Sequence, residues 1–213
     1  MKQITFYLDF ISPYAYLAFE RLPVALQGQS YHVVYKPVLF AGLLKHHGQL
    51  GPAEIPGKRE WTYRQVLWLA REHGIALQMP AAHPFNPLQL LRLAADCGDQ
   101  GLPNRWVCET VFRHVWRGGA DALAADRLDL LEKTLAPQRR HDADAAKQAL
   151  RQNTDAAITR GVFGVPTFEV DGHLLWGLDA LPMVAAVLSG DPWVGGEEWC
   201  TAASVPLGVS RSR

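Results

Sequence analysis

The sequence predicts an α/β fold in which a strand-helix-strand opening and a strand-strand-helix ending bracket a long stretch that reads only as helix. Three observations carry this prediction. Residues 3–9, QITFYLD, alternate as a strand and run into a helix start. Between residues 39 and 160 strand signals nearly vanish and helical spacings take over. Residues 164–177, GVPTFEVDGHLLWG, place two β-rich runs around Asp171-Gly172, a strong hairpin turn signal.

Taking the elements in order, Ile4, Phe6 and Leu8 fall on one face of the first strand and Tyr7 on the other. Ser12 follows where a helix N-cap belongs, and Pro13 takes the first helical position, where a missing N–H costs nothing. The helix runs toward Gln27 on Tyr16, Leu17, Phe19 and Leu22, with Pro23 expected to bend or shorten it. Residues 30–39, SYHVVYKPVL, read as the second strand.

Four to five helices are then predicted. Residues 60–74 present Tyr63, Val66, Leu67 and Ala70 and stop at Gly74; residues 86–98 have Asn86 as cap, Pro87 at the first position, and Leu90, Leu91 and Ala94 as the stripe. Residues 102–119, 126–136 and 142–161 supply the others. After the hairpin, residues 178–188 form a last helix with Asp179 as its cap, and the aperiodic residues 201–213 are expected to be disordered. The division expected is a discontinuous domain of residues 1–38 and 161–200, a helical insertion of 39–160, and a tail.

Composition narrows the function classes. Lys+Arg and Asp+Glu both number 21, so the zero net charge gives no argument for nucleic acid or an anionic membrane as partner. Cys97, Cys108 and Cys200 are odd in number and contain no C-x-x-C pair, which favours a reducing compartment. The opening MKQITFYLDF lacks the apolar region of a signal peptide, and no window is long and apolar enough for a membrane span, so a soluble cytoplasmic protein is expected. His46-His47 are adjacent rather than one helical turn apart, so no metal site is expected. Cys97 and Cys108 read as buried small hydrophobes, and Trp61, Trp68, Trp106 and Trp116 as packing between helices.

Ser12 alone reads as a plain helix cap. The segment GVFGVPTF, residues 161–168, changes that reading, because Pro166 at the entry of a strand cannot donate to a ladder and must sit at the strand's first residue or an edge. The element order is that of thioredoxin with a helical domain inserted after the second strand, and in that arrangement this loop faces the helix start at Ser12. The segments FYLDFISPYAYLA, GVFGVPTF and WGLDAL resemble kappa-class glutathione transferases and, more closely, the 2-hydroxychromene-2-carboxylate isomerases of bacterial aromatic degradation; LLKHHGQLGPAE and HPFNPLQLLRL resemble them less exactly.

The resemblance implies a cis Val165-Pro166 bond, with the Val165 backbone pairing with the cysteinyl part of glutathione. Redox members of this fold carry C-x-x-C where this chain reads Ser12-Pro13-Tyr14-Ala15, so dithiol exchange is excluded and Ser12 would lie beside the glutathione sulfur. Leu178 and Asp179 would take the γ-glutamyl end. On the substrate side Lys36, Lys45, Gln49, Lys58 and Arg59 are the groups near the insertion that could hold a carboxylate, with Lys45, Gln49 and Asn86 implied as pocket residues. The expected activity is a glutathione-dependent isomerase acting on an aromatic carboxylate. Two alternatives stay open: a kappa-like transferase, or a thioredoxin-fold binding module. Relatives of this kind are often dimers, so a homodimer is among the expected partners.

Overall fold

The computed structural model describes residues 1–206, 208 and 209. Four strands form one sheet in the order β2-β1-β3-β4: β1 (Lys2–Leu8), β2 (Tyr31–Pro37), β3 (Thr167–Val170) and β4 (His173–Trp176). β1 runs parallel to β2, and β3 is antiparallel to both β1 and β4. The parallel pair needs a crossover, which α1 (Pro13–Ala25) provides. The β3–β4 turn has both Asp171 (φ 49) and Gly172 (φ 83) in the left-handed region, the type I′ geometry that matches strand twist.

Between β2 and β3 the chain is helical: α2 (Phe40–His47), α3 (Pro56–Glu72), α4 (Leu88–Asp96), α5 (Arg105–Trp116), α6 (Ala125–Leu135) and α7 (Ala143–Arg160). α8 (Leu181–Ser189) and α9 (Glu197–Ala202) follow the hairpin. α5 and α7 start where Asn104 and Asp142 accept a backbone N–H, and α7 ends at Gly161 in the left-handed conformation.

The alternation of β1 sets two cores. Ile4, Phe6 and Leu8 are fully buried on the face covered by α1 and α8, where Phe6 meets Phe168 at 4.7 Å between ring centres. Removing such a ring by Phe168→Ala costs about 3–5 kcal/mol. That cluster continues without a break into α4, α5 and α6 through Phe19, Phe112 and Trp116, so sheet and helices share one core. On the opposite face Tyr7, Val38, Leu43, Ala157, Val162 and Val165 form a smaller core under α2 and α7. The remainder of that face is polar: Gln3, Thr5, Lys36 and Glu169 line an open cavity of about 380 Å³, where the Tyr7 hydroxyl donates to Glu169 at 2.6 Å.

Several expectations are corrected. The short helix α2 and the terminal α9 were not predicted; α2 has no side-chain cap to announce it, and α9 already occupies Thr201 and Ala202, where a disordered tail was expected. The rest of that expected tail includes Leu207 and residues 210–213, which lie outside the described residues. α1 continues two residues past Pro23 and stops short of Gln27. In α3 the buried stripe is Thr62, Val66 and Ala70, spaced four apart, because α1 covers only one narrow face. Trp61 and Trp68 therefore stand 62% and 57% exposed; Trp106, in the first turn of α5, is 44% exposed, and of the four tryptophans expected between helices Trp116 alone is buried.

Candidate active site

Ser12 is the N-cap of α1, with extended backbone (φ −85, ψ 114) and its Oγ accepting the Ala15 N–H at 3.2 Å. The same hydroxyl donates to the Val165 carbonyl oxygen at 3.4 Å, a long and therefore weak bond. The aligned peptide dipoles of α1 give this helix end a partial positive charge. Ser12 and Val165 retain 6% and 7% exposure, enough to be touched from one side.

The loop that delivers Ser12 is held at nearly every polar atom. Ser12 N donates to Asp9 O at 3.1 Å, and Ile11 N donates to Asp9 Oδ1 at 3.1 Å. Trp116 Nε1 donates to Phe10 O at 3.0 Å, and His83 Nε2 stands 2.8 Å from Ile11 O. Asp9 is wholly buried, and desolvation pushes its carboxyl up to about 7 against the opposing pull of the Phe40, Ile11 and Phe10 N–H groups. None of Asp9, His83, Tyr63 or Trp116 was singled out for this loop from the sequence. A buried acid closing a strand was the one visible signal, at Asp9; His83 and Trp116 meet the loop across 72 and 106 residues of sequence, and Tyr63 reaches it through His83.

The Val165–Pro166 peptide bond is cis. Pro166 lies just ahead of β3, outside the ladder its missing N–H would break, and its carbonyl accepts from Gly177 N at 2.9 Å. Among the described residues the Val165 N–H has no hydrogen-bond partner. Gly177 (φ 104) carries the chain into a 3-10 turn at Leu178–Ala180 with a backbone conformation that side-chain-bearing residues rarely adopt, and the Asp179 carboxylate folds back over this glycine. Asp179 does not cap the last helix: α8 begins at Leu181 after Ala180, with no side-chain cap. The Asp179 carboxylate is exposed, has no hydrogen bond or ion pair among the described residues, and lies near enough to Tyr14 to raise its phenol pKa, behind the larger effect of burial. Tyr14 donates to Gln65 Oε1 at 2.6 Å, which ties the start of α1 to α3.

Ser12, Val165, Pro166, Leu178 and Asp179 are thus brought to one end of the sheet by α1, the strand entry and the turn after β4. Lys45, Gln49 and Asn86 are not joined to this group by any hydrogen bond, ion pair or ring contact among the described residues. Lys45 and Gln49 are exposed at the end of α2, whose inner face presents Leu43 and His47; His47 Nε2 reaches Val162 O at 3.2 Å. Asn86 accepts the Leu88 N–H at 3.1 Å just before α4 and borders a different cavity, of about 620 Å³, with Arg92, Asp96 and Arg139. Pro87, expected at the first helical position, is the cap residue itself. Lys36 lies over the Tyr7 ring on the polar sheet face, and Lys58 is exposed. Arg59 is different: it donates to Tyr63 Oη at 3.2 Å and to His83 O at 3.1 Å, and His83 reaches the Ser12 loop.

The protein's own thiols stand apart from this site. Cys97 and Cys108 are buried among the helices, and desolvation raises both, Cys97 to about 11. No helix among the described residues is long and apolar enough to cross a membrane.

A mixed sheet in this order, with a helix start and a proline-entered strand meeting at one end, defines a thioredoxin-like fold. The chain belongs to the DsbA-like thioredoxin domain family, whose model matches residues 3–189. It is 29% identical over 205 residues to a 2-hydroxychromene-2-carboxylate isomerase of Pseudomonas sp. (strain C18), covering 91% of this chain and 93% of that protein. It is 28% identical over 218 residues to glutathione S-transferase kappa 2 of Caenorhabditis elegans, covering 91% and 94%. The fold is that of a solved 2-hydroxychromene-2-carboxylate isomerase, with TM-score 0.72, 24% identity, and 95% and 98% of the two chains covered.

Proposed function

We propose that this chain is a glutathione-dependent isomerase of the 2-hydroxychromene-2-carboxylate type, with Ser12 as the residue that poises the thiol. The observation that carries the reading is the Ser12 hydroxyl at the positive end of α1, joined to Val165 by a bond weak enough to be exchanged. The residues present fit glutathione: a backbone N–H at Val165 and a carboxylate at Asp179 that have no partner among the described residues, and a carbonyl that a small hydroxyl rotation releases.

Bound glutathione would supply a thiolate that adds reversibly to an unsaturated aromatic pyruvate, so that the former double bond can rotate before elimination restores it. Ser12 turns its O–H from the Val165 carbonyl to the sulfur, and the helix end favours the anion. The Val165 N–H and C=O then pair with the cysteinyl backbone, beside Pro166. Asp179, with Leu178 next to it, takes the α-amino group of the γ-glutamyl end. Arg59, tied to the Ser12 loop through His83, is the cation best placed for the substrate carboxylate; Lys45 and Gln49 serve only a substrate that reaches the exposed end of α2.

A kappa-like transferase is the second reading, favoured by the near-equal identity to relatives of both kinds. Incubation with glutathione and 2-hydroxychromene-2-carboxylate separates the two. Product isomer at constant glutathione supports the isomerase, and stoichiometric loss of glutathione supports the transferase. Absence of calorimetric binding at millimolar glutathione overturns both.

A further inference from the structure

The peptide unit joining Ile11 to Ser12 is held at both ends. Its N–H donates to Asp9 O at 3.1 Å, and its carbonyl oxygen lies 2.8 Å from His83 Nε2. A carbonyl can only accept, so His83 carries its proton on Nε2 and leaves Nδ1 as an acceptor; the Tyr63 hydroxyl lies 2.8 Å from both Nδ1 and the His83 carbonyl oxygen and holds the residue through these two acceptors. The imidazole is packed against Tyr63, Trp116 and Phe85 at 5.4, 5.5 and 6.1 Å between ring centres. Trp116 also donates to Phe10 O, so one ring both supports His83 and fixes the preceding carbonyl. Burial lowers the His83 pKa and keeps the ring neutral beside Arg59.

The orientation of that peptide plane sets the Ser12 backbone and hence the direction of its Cα–Cβ bond. A hydroxyl stabilises a thiolate only when aimed at the sulfur, and small errors of aim are costly. We propose that His83 is a positioning residue for Ser12: by donating from Nε2 to the Ile11 carbonyl it holds the peptide plane that points the Ser12 hydroxyl toward the thiol. The inference rests on the reading of Ser12 as the thiol-contacting group.

His83→Leu keeps bulk and removes the donor, while His83→Gln supplies an amide N–H at similar reach. In His83→Leu the thiolate fraction of bound glutathione, read by ultraviolet absorbance, is expected to fall about tenfold, with kcat following and the glutathione KM within about twofold. His83→Gln is expected to restore most of the thiolate. Amide hydrogen exchange at Ser12, measured without glutathione, is expected to quicken in His83→Leu. A folded His83→Leu protein with wild-type thiolate and wild-type Ser12 exchange overturns the proposal. A wild-type protein that shows no thiolate on adding glutathione overturns the site reading instead, and the exchange comparison then decides the role of His83. If His83→Leu does not fold, Tyr63→Phe carries the same exchange comparison: faster exchange supports the proposal and wild-type exchange overturns it.

Discussion

Asp9 Oδ2 accepts the Phe40 N–H at 2.9 Å while Oδ1 accepts the Ile11 N–H at 3.1 Å, so one buried carboxylate joins the Ser12 loop to the first turn of α2. Neither bond pairs the charge with a cation, and burial dominates its titration.

That dominance predicts a pH dependence. The folded-state value, about 7, is raised above the unfolded one, so between about pH 4 and 7 the folded chain holds a proton that the unfolded chain releases. Stability contributed by this group is present at low pH and declines as pH rises through the window, by about 1.4 kcal/mol per unit. Urea unfolding of wild type and Asp9→Asn checks this, since the wild type should lose stability relative to the variant as pH rises. Equal slopes would exclude it.

Ser12 has two separable duties. Ser12→Ala removes the cap on Ala15 N–H and should lower unfolding free energy by about 1 kcal/mol. If the hydroxyl also poises a thiol, turnover with glutathione should fall about tenfold or more beyond any effect of unfolding. Parent-level turnover in a folded variant returns Ser12 to capping alone.

Ser12→Cys places a thiol at the same helix end. It should ionise below neutral pH and attack oxidised glutathione, forming a mixed disulfide with release of one reduced glutathione, read by mass spectrometry. Dithiol exchange should not appear, because the fourth position of that turn is Ala15. A sluggish thiol with an ordinary pKa would show that the helix end does not stabilise an anion.

The native cysteines should divide by burial. A chromogenic disulfide reagent should titrate Cys200, which is exposed, while Cys97 and Cys108 react only after unfolding. Rapid labelling of all three in the native protein would contradict the packing of α4 and α5.

Trp116→Phe tests the bond to the loop through stability. It leaves the Phe10 carbonyl without its donor and opens space beside Tyr16, and together these should cost about 2–4 kcal/mol in chemical unfolding. A change below about 0.5 kcal/mol would show that the loop does not need the bond.

Periodicity made the frame of this fold readable. Ile4, Phe6 and Leu8 marked the buried face of β1, Ser12-Pro13 marked the start of α1, and Asp171-Gly172 marked the turn between β3 and β4. Local rules had less to say where packing decides. Trp61 and Trp68 are apolar by composition, yet the face of α3 that meets α1 is drawn by Thr62, Val66 and Ala70. Asp179 resembled a cap because an acid before an apolar helix usually is one, and only the positive φ at Gly177 shows why its carboxylate turns away. The links from His83 and Trp116 to the loop were illegible, since hydrogen bonds spanning 72 and 106 residues leave no local pattern.

Those same two links bear on how such a protein can be altered. The chain between the second and third strands looks like a cassette, something to graft whole from one relative to another in order to change substrate preference. Its imidazole at position 83 and its indole at position 116 hold consecutive carbonyls of the loop that presents Ser12. A graft that changed either would also loosen the loop that presents Ser12, so the helical surface and the setting of that hydroxyl change together.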